Sequence, residues 1–259
     1  MKNRQYPIKT VYYRSESDEF ASDSITAKRI GDKYPYLRRG MGYRLARFLL
    51  YRLVATPLGW LYCKLKLGHR VLRQAKLPQG GFMLIGNHTQ QTADALIPTL
   101  AVMPRSVYVI VHPNNVSMPF LGRLTPYLGA IPTPDSIGAA RNFREAVNAR
   151  LGEGHCVCVY PEAHIWPYYT GIRRFPDSSV RLAVEADVPC YTMTTVYKKR
   201  PLRRSPRAIT YIDGPFLPRE LPLREAAREL TERMYAQMCT RAKESDCEYI
   251  RYEKKEDEK

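Results

Sequence analysis

The sequence predicts an α/β fold in which a mostly parallel mixed sheet is flanked by helices and preceded by an N-terminal amphipathic helical hairpin. Short apolar runs alternate with amphipathic helical patterns from residue 81 to residue 245, which is typical of consecutive βαβ units. An apolar segment interrupted by basic residues precedes them at residues 44–67. No repeat of fixed period divides the chain, so one large domain is expected.

The individual elements follow from residue type and period. Strands are predicted where apolar residues cluster in short runs, at residues 81–86, 106–112, 155–160, 189–197 and 208–214. Helices are predicted where apolar residues recur with the helical period, at residues 92–102, 136–154, 178–188 and 223–245. The second of these helices ends at Gly152 and Gly154, which is a common way for a helix to end.

Composition limits the function classes. Lys and Arg number 41 against 25 Asp and Glu, a net charge of +16, so the surface attracts polyanions such as nucleic acid, anionic lipid or phosphorylated metabolites. The six cysteines contain no CxxC pair, and the start MKNRQYPIKT contains no apolar signal segment. Neither zinc nor secretion is therefore indicated, and a reduced, cytoplasmic setting is expected.

Four regions are predicted along the chain. Residues 1–43 are polar without a clear period and are expected to form an extended arm. Residues 44–75 contain amphipathic helices, residues 76–250 form the α/β domain, and the charged residues 251–259 form a solvated tail.

The segment 44–67 is apolar but basic. Its longest uncharged stretch, residues 53–63, has 11 residues, short of the roughly 20 that a membrane-spanning helix needs. Two short amphipathic helices separated at Thr56-Pro57 explain the pattern, with apolar side chains entering the lipid headgroup boundary and cations meeting phosphate. A helical hairpin packed on the domain explains the pattern equally well, and both interpretations stay open.

The stretch GNHTQQTADALIP, residues 86–98, joins a histidine to the end of an apolar strand. Open α/β folds place their sites at this edge of the sheet. A carboxylate bonded to Nδ1 of an imidazole fixes its tautomer and stabilises the imidazolium. Positions six apart lie about 240° around a helix, so Asp94 can reach His88 only if His88 precedes the helix. With Thr92 as N-cap this is possible, and we predict a general base, His88, oriented by Asp94.

A second strand, in HCVCVYPEAHIWP, ends at Tyr160-Pro161-Glu162. With it, the sequence resembles the glycerolipid acyltransferase superfamily, the lysophosphatidate acyltransferase-like enzymes, over about residues 80–197. The family block Asn-His-x4-Asp is matched by Asn87, His88 and Asp94, with one additional residue between His and Asp. A second block is matched by Gly129 in LGAIPTP. The block Phe-Pro-Glu-Gly-Thr-Arg is matched by residues 160–165, where Ala163 and Ile165 replace Gly and Arg.

The resemblance implies an enzyme that moves a fatty acyl group from an acyl thioester, acyl-CoA or acyl carrier protein, to a hydroxyl of a lysophospholipid, lysophosphatidate by default. One imidazole can act as base toward the hydroxyl and as acid toward the departing thiol, without a metal or organic cofactor. The implied catalytic residues are His88 and Asp94, and the implied substrate-binding residues are Asn87, Gly129, Pro161, Glu162, Arg173 and Arg174, the two arginines substituting for the one missing at Ile165.

The implied partners are the lysolipid acceptor, the acyl donor and an anionic membrane surface, with no specific nucleic acid. The protein is expected to be cytoplasmic and peripheral on the inner face of a membrane. The structural alternatives are that Asp94 only caps a helix, that Glu162 pairs with an arginine, that Arg173 and Arg174 are surface-solvated, and that Trp166, Tyr168 and Tyr169 pack rather than shape a lipid entrance.

A rival class is a non-enzymatic basic module that binds nucleic acid or anionic lipid. Its cations are spread along the chain and no nucleic-acid-binding signature appears, which disfavours it. Neither a GxSxG elbow nor a GxxxxGK loop is present, which disfavours a serine hydrolase and a phosphoryl-transfer enzyme.

Overall fold

The computed structural model describes residues 6–21 and 26–255, and a seven-stranded sheet runs through its centre. In chain order the strands are β1 (Lys9–Tyr13), β2 (Arg70–Arg73), β3 (Phe82–Gly86), β4 (Val107–Val111), β5 (Ala130–Pro132), β6 (Cys156–Val159), β7 (Cys190–Lys198), β8 (Arg207–Phe216) and β9 (Ile250–Lys254). The sheet has the order β2-β8-β7-β3-β6-β4-β5. Only β7 and β8 pair antiparallel within it. This confirms the predicted mostly parallel mixed sheet.

Helices cover both faces of the sheet. They are α1 (Met41–Arg47), α2 (Thr56–Tyr62), α3 (Ile97–Val102), α4 (Asn114–Ser117), α5 (Leu121–Leu124), α6 (Ile137–Gly152), α7 (Ser178–Glu185) and α8 (Leu223–Ala242), with π-helical stretches at Phe48–Ala55 and Cys63–Leu67 and a 3₁₀ turn at Ala93–Ala95. The predicted strands and the three long C-terminal helices are therefore present, and the predicted helix 92–102 begins as a 3₁₀ turn.

The central strand β3 is buried along its whole length, and its side chains alternate between two core layers. Phe82 and Leu84 pack with α3 and the helical segment 41–67. Met83 and Ile85 pack with α6, α7 and α8. The period of two in the strand thus assigns one set of helices to each face, and the residues that follow β3 emerge between these layers at the carboxyl edge of the sheet.

Residues 41–67 form one uninterrupted helical segment, named here the N-terminal helix, which corrects the predicted hairpin of two helices separated at Thr56-Pro57. Backbone angles stay right-handed helical through Arg47, Ala55 and Cys63. Pro57 has no N–H to donate, and the π-helical stretch before it bonds differently: the N–H and the hydroxyl of Thr56 both donate to the Tyr51 carbonyl. The widened turn accommodates the proline without a loop.

The N-terminal helix ends at Gly68, whose φ of 56° is the left-handed conformation typical of a helix C-terminus. Among the helices of residues 6–21 and 26–255, none is long and apolar enough to cross a bilayer.

The two ends of the chain pair with each other, which corrects part of the predicted arm and tail. Strand β1 pairs in parallel with β9, whose residues were predicted to be solvated. The physical reason is an aromatic anchor: the rings of Tyr13 and Tyr252 lie 4.7 and 4.9 Å from the ring of Trp166. Predictions for residues 1–5, 22–25 and 256–259 lie outside the described residues.

Candidate active site

The segment that follows β3 is anchored by Asn87. Its side-chain Nδ2 donates to the Thr195 carbonyl at 3.0 Å, and its Oδ1 accepts from the Thr195 N–H at 2.8 Å. Asn87 is buried, and these two bonds join the end of β3 to the neighbouring strand β7. The asparagine of the first block therefore fixes the backbone from which His88 projects, and its amide contacts protein rather than open space.

His88 and Asp94 form a direct pair. The His88 Nδ1 lies 2.8 Å from the Asp94 Oδ2, with the imidazole 18% exposed and the carboxylate 2% exposed. The same Asp94 oxygen accepts from the backbone N–H groups of Thr89 and Gln90, each at 2.8 Å. Three donors thus converge on one buried oxygen, and charge-assisted bonds of this kind contribute about 1.5–3 kcal/mol each. A turn at residues 91–92 brings Asp94 back to His88.

The pairing determines which ring nitrogen of His88 is available. With Nδ1 donating to the carboxylate, a neutral imidazole presents Nε2 as an acceptor. Within the part of the chain that the structure describes, Nε2 has no protein hydrogen-bond partner. A partly exposed nitrogen that can take up a proton, backed by a buried carboxylate, is the arrangement of a general base.

Tyr160 packs against the His88–Asp94 pair. Its ring stacks on the imidazole of His88 with the centroids 4.6 Å apart and the planes inclined by 17°. Its hydroxyl donates to the Asp94 backbone carbonyl at 2.7 Å. Burial raises the pKa of Tyr160 well above its ordinary value, so the hydroxyl remains a neutral donor. The residue at the end of β6 therefore supports both members of the pair formed after β3.

Glu162 lies inside the protein and holds the backbone of His88. Its Oε2 accepts from the His88 N–H at 3.1 Å and from the Arg173 Nη2 at 3.0 Å, and its Oε1 accepts from the Arg173 N–H at 3.1 Å. The Glu162 and Arg173 side chains are 0% and 2% exposed. This is the ion pair of the structural alternative, and Glu162 also holds the backbone that carries His88.

Comparison with known proteins agrees with the geometry. The family model described as Acyltransferase matches residues 69–196. The chain belongs to the acyltransferase family. The resemblance to the glycerolipid acyltransferase superfamily is thereby confirmed, and the rival prediction of a non-enzymatic binding module is wrong.

The fold of this acyltransferase is also similar to a solved structure. The crystal structure of the 1-acyl-sn-glycerophosphate (LPA) acyltransferase, PlsC, from Thermotoga maritima superposes with a TM-score of 0.54 at 17% identity. The match covers 81% of this chain and 86% of that chain. No curated protein matches the sequence.

The third block of the acyltransferase contains a non-glycine residue in a conformation that glycine favours. Ala163 stands where the family has Gly, and it adopts a φ of 62° in the left-handed region that glycine favours. The following residues turn so that the N–H groups of Trp166 and Tyr168 donate to the His88 and Thr89 carbonyls at 3.1 and 3.0 Å. The loop after Glu162 therefore runs alongside the catalytic segment.

The two predicted phosphate contacts of the acyltransferase lie elsewhere than expected. Arg173 is buried, donates to the Glu16 and His164 carbonyls as well as to Glu162, and faces the ring of Trp166. It is neither surface-solvated nor accessible to a substrate phosphate. Arg174 is exposed but pairs with Glu232 of α8 at 3.0 Å, away from the His88 ring.

Gly129 and Pro161 have structural positions. Gly129 has a φ of 97°, and a Cβ there would lie 2.6 Å from the Val107 carbonyl, so the close approach of β4 requires glycine. Gly129 directly precedes the edge strand β5, three strands from β3, and the strand register places it level with Met83, below the carboxyl edge of the sheet. It is not brought to His88. Pro161 is buried between Tyr160 and Glu162.

An apolar pocket lies between the N-terminal helix and the core of the domain. Its volume is about 120 Å³, and its wall starts at Ala95 and Leu96, immediately after Asp94. The N-terminal helix closes it from the other side, with Tyr51, Ala55, Thr56 and Gly59 lining it. A Cβ on Gly59 would lie 3.1 Å from the Leu96 Cδ2, so glycine lets the helix approach. The acyltransferase thus has an apolar cavity between the N-terminal helix and the residues that follow Asp94.

Sequence reasoning missed two tyrosines that shape the site. Tyr160 supports the imidazole, and the buried hydroxyl of Tyr197 lies 2.7 Å from the Thr89 Oγ1 and accepts from the Gln90 Nε2 at 3.0 Å. Tyr160 could have been found, since an aromatic residue also precedes Pro-Glu in the family block. No local sequence pattern around Tyr197 indicates that it contacts the segment after β3. Trp166 is 1% exposed, so it packs and does not line an entrance.

Proposed function

We propose that this acyltransferase moves a fatty acyl group from an acyl thioester, acyl-CoA or acyl carrier protein, to a hydroxyl of a lysophospholipid at a membrane surface. The observation that carries the proposal is the His88 Nδ1 to Asp94 Oδ2 contact of 2.8 Å, with Nε2 of a partly exposed ring available. No metal or organic cofactor takes part. The location proposed is the inner, cytoplasmic face of a membrane.

In the mechanism, Nε2 of His88 accepts the proton of the acceptor hydroxyl while its oxygen attacks the thioester carbonyl carbon. The imidazolium that forms is stabilised by the Asp94 carboxylate, which the Thr89 and Gln90 amides hold in place. When the tetrahedral intermediate collapses, the carbon–sulfur bond breaks and the imidazolium returns the proton to the departing thiolate. The products are an ester and a free thiol, and the histidine is restored.

The pocket and the N-terminal helix supply the lipid side of the proposal. The cavity beginning at Ala95 accepts part of the acyl chain, since it is lined almost entirely by apolar groups. On the outer side of the same helix, large apolar side chains are exposed, among them Leu45, Phe48, Leu53, Leu58, Trp60 and Leu65. An exposed apolar face of this size favours the membrane-associating interpretation over simple packing.

Lysophosphatidate is the default acceptor, because the similar protein from Thermotoga maritima is named for that substrate. The burial of Arg173 and the presence of Ile165 remove the cation expected for the acceptor phosphate. A substrate panel should therefore include lysolipids with zwitterionic headgroups beside lysophosphatidate.

The test is a reconstituted assay. Purified protein, vesicles, a lysolipid panel and either acyl-CoA or acyl carrier protein thioester are combined, and product is measured by lipid mass spectrometry together with thiol release. We expect His88→Ala to lower the rate by about 10³-fold, within the range for a general base. His155→Ala is the matched control, since His155 also pairs with a carboxylate, Glu153 at 3.7 Å, but at the opposite edge of the sheet. Equal activity of His88→Ala and the control would remove His88 from the mechanism.

A further inference from the structure

The connection between β7 and β8 is strongly basic. Residues 198–207, named here the basic loop, read KKRPLRRSPR, and no acidic residue occurs between Val188 and Ile212. At its tip the side chain of Leu202 is 89% exposed. A concentration of cations around an exposed leucine is not explained by the catalytic site, which lies after β3 and β6.

The basic loop is hydrogen-bonded to the C-terminal end of the N-terminal helix. The Arg200 Nη1 donates to the Lys66 carbonyl at 3.2 Å, and the Arg203 Nη1 donates to the Leu65 carbonyl at 3.3 Å. Cations on the last carbonyls of a helix satisfy its free acceptors and complement its dipole. A Cβ on Gly68 would lie 2.5 Å from the Arg200 Nη2, so glycine permits this close contact.

Other contacts fix the backbone of the loop and leave side chains facing outward. The Lys199 N–H donates to the Asp246 Oδ1 at 2.7 Å, and the Arg204 carbonyl accepts from the Tyr6 hydroxyl at 3.0 Å. The residues Lys199, Leu202 and Arg204 are exposed. The loop is thus held by its main chain and by Arg200 and Arg203, while two cations and one leucine remain at the surface.

Immediately beside the loop lies the exposed apolar face of the N-terminal helix. Leu58, Trp60, Leu61 and Leu65 are 60%, 55%, 45% and 56% exposed. Lys64 and Lys66 are exposed on the same turns. The basic loop and this apolar face therefore form one continuous surface, because Arg203 bonds the carbonyl of Leu65 itself.

We propose that the basic loop is a second membrane contact that binds anionic phospholipid headgroups, with Leu202 entering the headgroup boundary and Lys199 and Arg204 meeting lipid phosphates. The proposal deepens the proposed function, on whose membrane-surface action it rests. The partner is a lipid surface because the cations lie beside exposed leucines and a tryptophan. Stable membrane association of a peripheral protein requires both insertion of apolar side chains and attraction of basic side chains to anionic headgroups. An acidic carrier protein or nucleic acid would match the cations but leave this apolar area uncovered.

The experiment is co-sedimentation of the full chain with vesicles of phosphatidylcholine alone and of phosphatidylcholine with roughly a third phosphatidylglycerol. We expect preference for the anionic vesicles. Lys199→Glu with Arg204→Glu should weaken that binding by about tenfold or more, since each surface cation contributes about a fivefold factor. Leu202→Ser should weaken binding to both vesicle types. Arg200 and Arg203 are retained in these variants because they cap the helix, and thermal unfolding checks the fold.

The matched control is Arg224→Glu with Arg228→Glu. Both residues are exposed on α8, which covers the opposite face of the sheet, and the change in net charge is identical. This control should bind vesicles within about twofold of the unmodified protein at physiological salt, where screening acts over about 8 Å. Binding is measured without turnover, so a failed acyl-transfer assay does not affect the result.

Two outcomes would overturn the proposal. Loop and control variants with equal vesicle binding would show that only net charge matters. Unchanged vesicle binding with a raised KM for acyl carrier protein thioester alone would assign the surface to the carrier protein instead of the lipid.

Discussion

Two neighbouring strands of this protein are each followed by a carboxylate that accepts a hydrogen bond from the same histidine, but the two carboxylates bond different parts of that residue. Asp94, after β3, bonds the ring of His88, whereas Glu162, after β6, bonds its backbone N–H. The first carboxylate thereby sets the orientation of the imidazole. The second sets the position of the chain that carries it.

The difference arises from the second partner of each carboxylate. The imidazole paired with Asp94 is 18% exposed, and its Nε2 has no protein hydrogen-bond partner among the described residues. The guanidinium paired with Glu162 is buried, and its Nη groups donate to protein acceptors. Carboxylates at adjacent strand ends therefore yield one partly exposed pair and one buried pair, and the motif letters alone do not distinguish them.

The largest effect expected from this comparison is on catalysis. Asp94→Asn should lower kcat by about 10³-fold, close to 4 kcal/mol in activation free energy, because a neutral amide no longer stabilises the imidazolium that forms on His88. Steady-state rates on vesicles measure it, and thermal unfolding should change little because the amide oxygen can still accept from Thr89 and Gln90. Glu162→Gln is the paired control: it should lower stability more than it lowers kcat. The reverse pattern would exchange the roles of the two carboxylates.

The next effect is on stability. Arg173→Ala leaves a buried carboxylate without its cation and should reduce the free energy of unfolding by about 3–5 kcal/mol in denaturant titrations. Replacing both partners, Glu162→Met with Arg173→Met, should recover much of that loss because no charge then remains buried. If Arg173→Ala instead left the free energy of unfolding unchanged and only raised KM for phosphate-bearing acceptors, Arg173 would be the predicted phosphate contact.

His69 provides an imidazole without any carboxylate. It is buried, its Nε2 lies 2.8 Å from the Thr210 Oγ1, and burial lowers its pKa from 6.5 to about 4. Because the folded pKa lies below the unfolded one, the stability from this group is complete above pH 6.5 and is lost as the pH falls from 6.5 toward 4, by at most about 3 kcal/mol. His69→Gln keeps a side chain able to bond Thr210 and should flatten this part of the pH-stability curve. An unchanged curve would mean that other groups control it.

Much of the fold was predictable because each interior strand is a short apolar run that can be recognised in the sequence. Strand β3 and its neighbours are apolar runs, and the register of His88 after β3 follows directly from them. The edge strands β2 and β5 have four and three residues, too few for a period to show. Strand β9 is rich in charge, and its pairing with β1 depends on rings contributed by distant segments.

The candidate site was predictable only as far as local spacing determines it. His88 and Asp94 lie six residues apart, so the backbone geometry limits how they can meet. The pair Glu162 and Arg173 depends on the path of the intervening loop, which turns through Ala163 and is held by Trp166 against His88. Tyr197 reaches Thr89 from a strand more than a hundred residues away. Such contacts are set by tertiary packing, which no short window of sequence contains.

The smallest effect concerns the turn between Glu162 and its partner Arg173. Ala163 has a φ of 62°, which is strained for a residue with a Cβ, so Ala163→Gly should raise the free energy of unfolding by about 0.5–1 kcal/mol after the entropy of the unfolded chain is considered. Ala149→Gly in the helix α6 is the matched control, and it should lower the stability by about 1 kcal/mol because glycine there only adds unfolded-state entropy. Opposite signs for the same substitution in denaturant titrations would show that the backbone after Glu162 keeps the glycine-like turn without glycine. If both variants were destabilised alike, the turn that brings Arg173 back to Glu162 would not depend on a left-handed residue at this position.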